Sequence, residues 1–401
     1  MCGKGEFKPV INFGQSPLQN SLLSADELSK PEFTRLLQVF QCQQCFLVQI
    51  INPVSGERIY QEQDYLYFTG EMPTTEAYFQ DFVWELERRF VRDGDFVVEI
   101  GSNDGTMIKR FKKRIIPLGV DPATNVVIRA LARGVPTLNG FFTERNAKKI
   151  RNEWGDAKLV GGANCIAHLA DLQDMMRGVM ALLSHDGVFW VECNYWGAMV
   201  KNKNYALIYH DHFSYFSLFV WQQFLRTYGL EVFDATVTPA QGGSLRFFAA
   251  RPGIYETTER FYEILREEEN THLNTAEVCE KYEKDVKEEA FRLKKLVSGI
   301  KHDEMKSIAG YGAAAKGLSV LHFAGIGAES ISYFVDDSPA KQGKYTPIEH
   351  IAVISREEAQ EKLPDYFFIT APNYADVIIE KEKNFRNRGG KFITVDGRII
   401  S

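Results

Sequence analysis

The stretch DFVVEIGSNDG, from Asp95 to Gly105, decides the predicted fold of the middle of this chain. Phe96 to Ile100 is an apolar run of the length expected for one buried parallel strand, and a glycine-rich turn follows it. Gly101 lets a ligand approach the backbone closely, while Asn103 and Asp104 tolerate unusual backbone angles and accept hydrogen bonds. The stretch therefore predicts a strand that feeds a cofactor-binding loop.

The spacing around this turn is E-x-G-x-x-x-G, beginning at Glu99, and not the G-x-G-x-x-G of dinucleotide folds. A helix is predicted from Thr106 to Lys113, followed by a second strand from Ile115 to Val120. This strand delivers Asp121, where a carboxylate can bind both hydroxyls of a ribose. Together these features resemble the S-adenosylmethionine site of class I methyltransferases. The alternative is an ordinary strand, turn and helix with surface acids.

The bulk composition describes a globular protein of more than one domain. With 401 residues, two or three domains are expected, and 45% hydrophobic with 25% charged residues is an ordinary globular composition. A net charge of -6 disfavours nucleic acid as a partner. No apolar run is long enough to cross a bilayer, and Met1 to Val10 lacks the pattern of a signal peptide, so a cytoplasmic location without membrane partners is the default expectation.

Three cysteines near the N-terminus indicate a metal site more than a disulfide framework. Cys42 and Cys45 form a C-x-x-C knuckle, and Cys2 lies where half of a second knuckle would be. A closed zinc site takes four ligands, so a fourth has to come from elsewhere, the natural start lies upstream, or the metal has been lost. A redox pair is the other use of C-x-x-C, but no thioredoxin-like pattern surrounds it. Phe13 to Asn20 is predicted to be a loop.

Polar and aromatic residues elsewhere extend the predicted cofactor site. Tyr60 to Thr75 is rich in aromatics and precedes the cofactor strand, so it is predicted to form a lid that includes Tyr67, although a small aromatic core is the alternative. Phe141 follows the third predicted strand, where a ring can stack on adenine. Asn164 and His168 follow the next strand, at the sheet edge where ligands bind. A lone histidine is more often structural.

The stretch IYHDHFSYF, from Ile208 to Phe216, has the highest density of potential acid-base side chains in the sequence. His210 and His212 are two residues apart, so they point oppositely on a strand and do not share a helix face, which disfavours a metal site. An acid-base cluster is the better interpretation, because a carboxylate at Asp211 can orient a histidine and Tyr209 can donate to an oxyanion. The alternative is a buried helix start with satisfied histidines.

Two strands, Glu231 to Val237 and Leu245 to Ala250, are predicted to be joined through a double glycine followed by Ser244 and Arg246. This connection either closes a hairpin or binds an anion, and without context a hairpin turn is favoured. Thr257 to Val297 has helical periodicity and no proline or glycine, which predicts two surface helices.

A second α/β unit is predicted from Ser307 onward. A strand runs into the small-residue loop Gly310 to Gly317, and a helix N-terminus with Lys316 beside it is a natural phosphate site. The unit is predicted to hold a second ligand, because one cofactor does not explain two Rossmann-like units. Its predicted binding residues are Gly310, Tyr311, Gly312, Lys316, Asp336, Lys341 and Asn373.

Across nearly its whole length the chain resembles the S-adenosylmethionine-dependent C-methyltransferases of nucleotide-linked deoxysugars. The motifs that carry the resemblance are the cysteine knuckle, EIGSNDG, ANCIAH, IYHDHFSYF, GGSLR, GYGAAAKG and DDSPAKQGKYTP, in matching order. The resemblance implies an α/β fold with a zinc-binding domain over residues 1–62, a class I methyltransferase domain over 63–255, and a helical linker with a Rossmann-like sugar-nucleotide domain over 256–401. It implies S-adenosylmethionine and structural zinc as cofactors, and a nucleotide sugar as the small-molecule partner.

The resemblance also assigns roles to residues. It implies His212 as base, Tyr209 as donor to an enolate oxygen, Asp211 as the residue that orients the cluster, and His168 as an auxiliary. The remaining expected residues fall into three groups: Glu99, Gly101, Asn103, Asp104, Asp121, Phe141, Asn164 and Tyr67 for the cofactor; Ser244, Arg246 and the C-terminal set for the substrate; Cys2, Cys42 and Cys45 for the metal.

Three departures from the family pattern affect these expectations. The family usually has Glu where Asp211 stands, its first zinc cysteine is absent here, and the segment Asn204 to Ala206 lacks the usual acidic residue. The implied reaction is enolate formation at C3 of a dTDP-type 4-keto-deoxysugar, followed by in-line methyl transfer. An O- or N-methyltransferase is the closest alternative, and a catalytically silent sugar-nucleotide-binding protein is another.

Overall fold

The computed structural model describes residues 1–62, 64–71, 73–112 and 114–401. The first residue of the expected 63–255 domain and the last residue of the predicted helix from Thr106 lie outside the described residues. The chain divides into two compact units, each built from separate stretches of sequence. Unit one comprises residues 1–8, 40–198 and 213–278, and unit two comprises residues 9–39, 199–212 and 279–401.

The strands, in chain order, are β1 (Phe7–Pro17), β2 (Thr34–Cys42), β3 (Val48–Ile50), β4 (Phe96–Ile100), β5 (Ile116–Asp121), β6 (Thr137–Asn139), β7 (Ala157–Ala163), β8 (Leu183–Asn194), β9 (Ser214–Tyr215), β10 (Glu231–Thr238), β11 (Ser244–Ala250), β12 (Ile308–Tyr311), β13 (Phe334–Val335), β14 (Val353–Ile354), β15 (Tyr366–Ile369), β16 (Lys391–Thr394) and β17 (Ile399–Ile400).

The α-helices are α1 (Gly56–Tyr60), α2 (Pro73–Arg89), α3 (Thr124–Ala132), α4 (Glu144–Trp154), α5 (Leu172–Leu182), α6 (Trp196–Lys201), α7 (Leu218–Arg226), α8 (Glu259–Asn270), α9 (Ala276–Ser298), α10 (Ala315–Ala324), α11 (Arg356–Ala359), α12 (Ala375–Lys381) and α13 (Lys383–Asn387). None of the helices in the described part of the chain is both long enough and apolar enough to cross a membrane.

Unit one is built on a seven-stranded sheet in the order β10-β11-β8-β7-β4-β5-β6. The five strands from β8 to β6 run parallel, and β11 is antiparallel to both of its neighbours. This is the class I methyltransferase arrangement, in which the first strand of the fold, β4, lies inside the sheet between β7 and β5. All five residues of β4 are buried, because helices cover both faces of a parallel sheet and its strands are therefore apolar throughout.

Unit two contains a six-stranded sheet in the order β14-β13-β12-β15-β16-β17, parallel except for the edge strand β17. Its core includes Phe367, Phe385 and Phe392, whose rings pack against one another. The α/β class predicted from the sequence is confirmed, with two Rossmann-like sheets. A third sheet of four strands has the order β1-β2-β3-β9.

Two local predictions are wrong. The predicted helix from Thr106 is a short 3-10 turn, Ile108–Arg110. The amide of Lys112 donates to the Glu87 carboxylate of α2 at 2.5 Å, so a side chain from another element takes a backbone group that a helix would need. The predicted loop from Phe13 is largely strand β1, which tolerates Pro17 because that residue ends the strand.

Candidate active site

The glycine-rich turn and Asp121 meet at the carboxyl ends of two neighbouring strands, β4 and β5. Gly101 has φ +64°, a conformation that favours glycine, and Asn103 follows in the same left-handed region. The Asn103 amide donates to Asp121 Oδ2 at 3.0 Å, and the Ala123 amide donates to Oδ1 at 2.9 Å. Burial raises the pKa of Asp121 to about 6, against the lowering effect of these two bonds, so the carboxyl is mostly ionised at neutral pH.

Glu99 binds the backbone that follows the glycine-rich turn. Its side chain is buried and accepts from the Ile108 amide at 3.1 Å, and burial holds its pKa well above the usual range. Asp104 is also buried and binds Arg133 at 2.6 Å, so neither acid presents a free charge to a ligand. Asp121, which is the last residue of β5 and is mostly ionised, stays the acid predicted to bind a ribose.

The segment before α2 covers this turn. Asn103 Oδ1 accepts from the Thr69 amide at 2.8 Å, and Asn103 Nδ2 donates to the carbonyl oxygen of Tyr67 at 3.1 Å. The Gly70 amide adds a bond to Asp104 Oδ2 at 3.1 Å. The lid predicted over Tyr60 to Thr75 is thus, in its described part, hydrogen-bonded to the cofactor turn through backbone groups, which the aromatic composition alone does not indicate.

Phe141 and Asn164 occupy the strand ends as predicted. Phe141 follows β6 and its ring lies against Gly56, where an added Cβ would come within 2.9 Å of it. Asn164 follows β7 with φ +57°, and its amide donates to the Glu192 carbonyl oxygen at 2.7 Å. Together with Gly101, Asn103 and Asp121, these residues fit a nucleoside cofactor, because a positive-φ turn, a ribose-binding acid and an aromatic ring all follow strand ends of one sheet.

His168 lies in a short turn after β7, in unit one. Its Nδ1 is 2.5 Å from the hydroxyl oxygen of Tyr60, and that tyrosine packs against Tyr65. The residue before it, Ala167, accepts from the amide of Phe213 at 2.7 Å. His168 is therefore held by a phenol of the aromatic segment, a partner that the sequence did not identify.

Tyr209 and His212 form a pair in unit two. The hydroxyl of Tyr209 is 3.0 Å from His212 Nε2, and His212 Nδ1 is 2.7 Å from the carbonyl oxygen of Leu207. A carbonyl oxygen only accepts, so this contact assigns the proton of the neutral imidazole to Nδ1 and leaves the lone pair on Nε2. The pair is thus a histidine ready to take a proton at Nε2 beside a phenolic donor.

The other two residues of the cluster have different partners. His210 Nε2 donates to the carbonyl oxygens of Ser16 and Arg35, at 3.0 and 3.2 Å, and burial lowers its pKa, so it is a neutral structural histidine. Asp211 accepts from Asn20 Nδ2 at 2.6 Å. This bond connects Asp211 to the turn after β1, and the expected orienting role of Asp211 stays a prediction.

Arg246 and Ser244, expected at the substrate, are part of the β10-β11 hairpin, so the hairpin interpretation is confirmed and both side chains are buried. The Arg246 guanidinium donates to Glu192 at 2.9 Å and to Glu85 at 3.1 Å, and it covers the ring of Phe82. Ser244 Oγ donates to the Ala240 carbonyl oxygen at 3.0 Å. With two carboxylates already bound, Arg246 serves the interior of unit one.

The C-terminal residues divide between core and strand ends. Gly310 is inside β12, where an added Cβ would lie 2.2 Å from the Phe334 ring, and Tyr311 is buried with its hydroxyl donating to Glu382 at 2.9 Å. These two residues pack the sheet. Asp336 lies at the strand edge, where it accepts from the Ala313 amide at 2.7 Å.

The remaining C-terminal residues lie after strand ends. Gly312 has φ +86° in the turn after β12, and Lys341 Nζ donates to Asp336 at 3.2 Å. Lys316 lies in the first turn of α10, and burial lowers its pKa to about 7. Asn373 lies in a 3-10 turn after β15. Gly312, Lys316, Asp336, Lys341 and Asn373 thus follow the ends of β12, β13 and β15, the edge of the sheet where ligands bind.

The three N-terminal cysteines converge as the spacing predicted. Their sulfur atoms all lie within 4.8 Å of one another, and Cys2 Sγ is 3.6 Å from Cys42 Sγ. The amide of Gln44 points at Cys42 Sγ at 3.4 Å, as in a metal knuckle. Burial raises the pKa of Cys45 to about 12, so this thiol needs a bound cation to ionise. The cluster fits three of the four ligands of a zinc ion, and the described residues place no fourth in the group.

Comparisons with known proteins agree with this architecture. Residues 239–395 match the family model described as "C-methyltransferase C-terminal domain", and residues 1–60 match "Putative zinc binding domain". The C-methyltransferase NovU of Streptomyces niveus is 34% identical over 408 residues, spanning 100% of this chain and 96% of that protein.

Solved structures are more distant. Magnesium protoporphyrin IX methyltransferase (ChlM) from Synechocystis PCC 6803, with bound SAH, is 12% identical and covers 44% of this chain and 83% of its own, with a TM-score of 0.36. The YcgJ protein of Bacillus subtilis is 14% identical over 44% of this chain and 100% of its own, with a TM-score of 0.35.

Proposed function

The chain belongs to the C-methyltransferase family, and from that premise we propose that it methylates C3 of a dTDP-type 4-keto-deoxysugar. The 4-keto group acidifies the neighbouring C3 hydrogen, so a base can remove it and leave an enolate. Bound S-adenosylmethionine supplies the electrophilic methyl group that the enolate carbon attacks. The expected division into residues 1–62, 63–255 and 256–401 is part of this proposal, with zinc, cofactor and sugar nucleotide assigned to them in that order.

The observation that carries the proposal is the hydrogen-bonded pair of Tyr209 and His212. Because Leu207 accepts the Nδ1 proton, His212 Nε2 is the basic atom, and it takes the C3 proton. Tyr209 donates to His212 without substrate and to the enolate oxygen when that charge develops. Asp211 is proposed to orient the cluster, and His168 is proposed to be an auxiliary residue of the reaction.

The binding residues follow from the same proposal. Asp121 holds the ribose of the cofactor, with Gly101 and Asn103 forming the turn against it. The sugar nucleotide is proposed to bind at the strand edge that carries Gly312 and Lys316. Support for this second assignment is the helix N-terminus of α10, since backbone amides at such a position favour a phosphate.

Solvent exchange tests the proposed reaction directly. With a dTDP-linked 4-keto-deoxysugar in heavy water, the wild-type protein should incorporate deuterium at C3 and methylate that carbon. His212→Asn should slow both by about 10²- to 10⁴-fold, since asparagine cannot accept the proton. Tyr209→Phe should cost about 10²- to 10³-fold, the effect of one lost oxyanion donor.

His185→Asn is the matched control, because His185 is exposed and lies far along the sequence from the pair. This variant should exchange and methylate at the wild-type rate. Methylation without C3 exchange, on an oxygen or nitrogen, would instead favour an O- or N-methyltransferase. If His212→Asn methylates normally, the base lies elsewhere, and His168 is the next residue to replace.

A further inference from the structure

One residue of unit two that no sequence motif singled out contacts the acid-base cluster directly. Asn20 lies in the turn that follows β1, closed by the Ser21 amide donating to the Leu18 carbonyl oxygen at 3.0 Å. From this turn Asn20 Nδ2 donates to Asp211 Oδ2 at 2.6 Å. Asp211 itself is 1% exposed.

The same stretch of chain holds the neighbouring histidine. The carbonyl oxygen of Ser16 accepts from His210 Nε2 at 3.0 Å, so two consecutive residues of the cluster are bound by residues only four apart along the chain. The end of β1 and the turn after it thus hold the side chains of His210 and Asp211, in the segment that ends in His212. A contact of this kind controls where the carboxylate of Asp211 lies.

We propose that Asn20 is a positioning residue of the reaction, whose amide group holds Asp211 in place as a carboxylate in the segment that carries Tyr209 and His212. The inference rests on the proposed function for its catalytic meaning. Its structural part, the hydrogen bond by which Asn20 holds the Asp211 carboxyl, stands on the geometry of unit two alone.

Burial and hydrogen bonding oppose each other at this carboxyl. Burial raises the pKa of Asp211 to about 6, and the bond from Asn20 lowers it. Without the Asn20 donor, burial would act unopposed and the pKa of the carboxyl would rise further.

The charged and titratable groups packed around the segment do not replace Asn20. Arg35 of β2 and His322 of α10 both act on His210, whose pKa they lower together with burial, so His210 brings no positive charge. His212 is committed through Nδ1 to a backbone carbonyl, and burial lowers the pKa of Lys316 in α10 to about 7. The side-chain amide of Asn20 is the donor that favours the ionised form of Asp211.

Stability as a function of pH tests the inference without any substrate. A carboxyl whose pKa is raised on folding contributes stability that is present below the unfolded pKa, about 3.9, and is lost as pH rises through the folded value. Asn20→Leu raises the pKa of Asp211 in the folded protein further, so the free energy of unfolding falls by a larger amount as pH rises. Between pH 5 and pH 8 the unfolding equilibrium constant of Asn20→Leu, relative to wild type, should grow about 10- to 100-fold, the effect of one or two pKa units.

Asp211→Asn provides the matched background. In that variant the carboxyl is gone, so adding Asn20→Leu should give a stability difference that does not vary with pH. If Asn20→Leu does not fold, the exchange Asn20→Asp with Asp211→Asn serves instead, because it restores the hydrogen bond with donor and acceptor reversed. This double variant should recover a wild-type unfolding midpoint, whereas Asn20→Asp alone should not.

The pH profile of methyl transfer and C3 exchange tests the catalytic part. Asn20→Leu should move the acid limb upward by about one to two pH units, so that activity lost at pH 7 is recovered near pH 9. The inference is overturned if Asn20→Leu leaves the acid limb of the pH profile where it is in the wild type. It is also overturned if Asn20→Leu moves that limb by the same amount in the Asp211→Asn background. A wild-type protein that neither exchanges nor methylates overturns the proposed function, and the stability measurement still tells whether Asn20 controls Asp211.

Discussion

Lys316 shows how burial decides the charge of a single residue. Burial lowers its pKa to about 7, far below the value of about 10.4 for a free lysine. The ammonium form is the one that burial disfavours, so above pH 7 the folded protein carries a mostly neutral amine here. A diphosphate beside it would favour the ammonium form and raise the pKa again. Binding of dTDP at pH 8 is therefore expected to take up about one proton per chain.

Calorimetric titrations in buffers of different ionisation enthalpy measure this proton uptake. Lys316→Met should abolish the uptake, and Lys383→Met, at an exposed position of α13, should keep it. Equal uptake by the wild type and Lys316→Met would show that this lysine does not meet the diphosphate.

At the residue scale, sequence reasoning succeeded where chemistry was concentrated in one stretch. Tyr209 and His212 are three residues apart in the stretch interpreted as an acid-base cluster, and the structure joins them at 3.0 Å. Asn20 is 191 residues from its partner Asp211, and no local sequence pattern predicts a contact between residues so far apart in the chain. Tyr60 and His168 are separated in the same way.

At the scale of elements, the lid segment and the cofactor turn depend on close backbone contact. A Cβ added at Gly70 would lie 2.6 Å from both the Arg133 guanidinium and the Asp104 carboxylate. Gly70→Ala should therefore lift the segment away from Asn103, and S-adenosylmethionine should bind about 10-fold or more weakly by calorimetry, with little change in global stability. The loss is expected because the lid then no longer excludes water from the cofactor turn.

Gly299→Ala is the control for this prediction, since an added Cβ there makes only an ordinary contact with Asp303 at 3.7 Å. It should leave cofactor affinity unchanged. If Gly70→Ala binds the cofactor as tightly as the wild type, the segment does not act as a lid.

Strands could be predicted from the sequence where burial makes their residues uniformly apolar. The strand Phe96–Ile100 and the hairpin of β10 and β11 were identified because apolar runs ended at glycine-rich turns. The helix predicted after Thr106 failed because Glu87, in a distant element, captures the Lys112 amide. Propensity describes a segment alone, and tertiary hydrogen bonds override it.

At the scale of the whole molecule, the two units are interleaved along the chain. Unit two takes residues 9–39 and 199–212 as well as the C-terminal residues from 279. Within it Leu23 pairs with Tyr345, Ser319 Oγ bonds the Ile208 carbonyl oxygen at 2.5 Å, and Phe13 stacks on Phe323. Sequence patterns cannot reveal this recruitment, because it depends on partners more than a hundred residues away.

Because the two units are interleaved along the chain, a metal ion at the cysteine cluster is predicted to affect the stability of residues that belong to unit two. An ion bound by Cys2 and Cys42 closes a loop of 39 residues, and the middle of that loop, residues 9–39, belongs to unit two. Closing a loop of this length with a disulfide is worth roughly 4 kcal/mol in unfolded-state entropy, and a metal bridge acts on the same entropy.

Elemental analysis of protein purified without chelators should therefore find about one zinc per chain, and removing it should lower the unfolding midpoint by several degrees. Adding zinc back should restore the midpoint. Cys2→Ser opens the loop, so it should melt at the metal-free temperature and respond little to chelator, while Cys279→Ala, buried outside the cluster, should keep both zinc and response. A zinc-bound protein that melts at the same temperature as its metal-free form would mean that the cluster does not hold the loop of unit two in place.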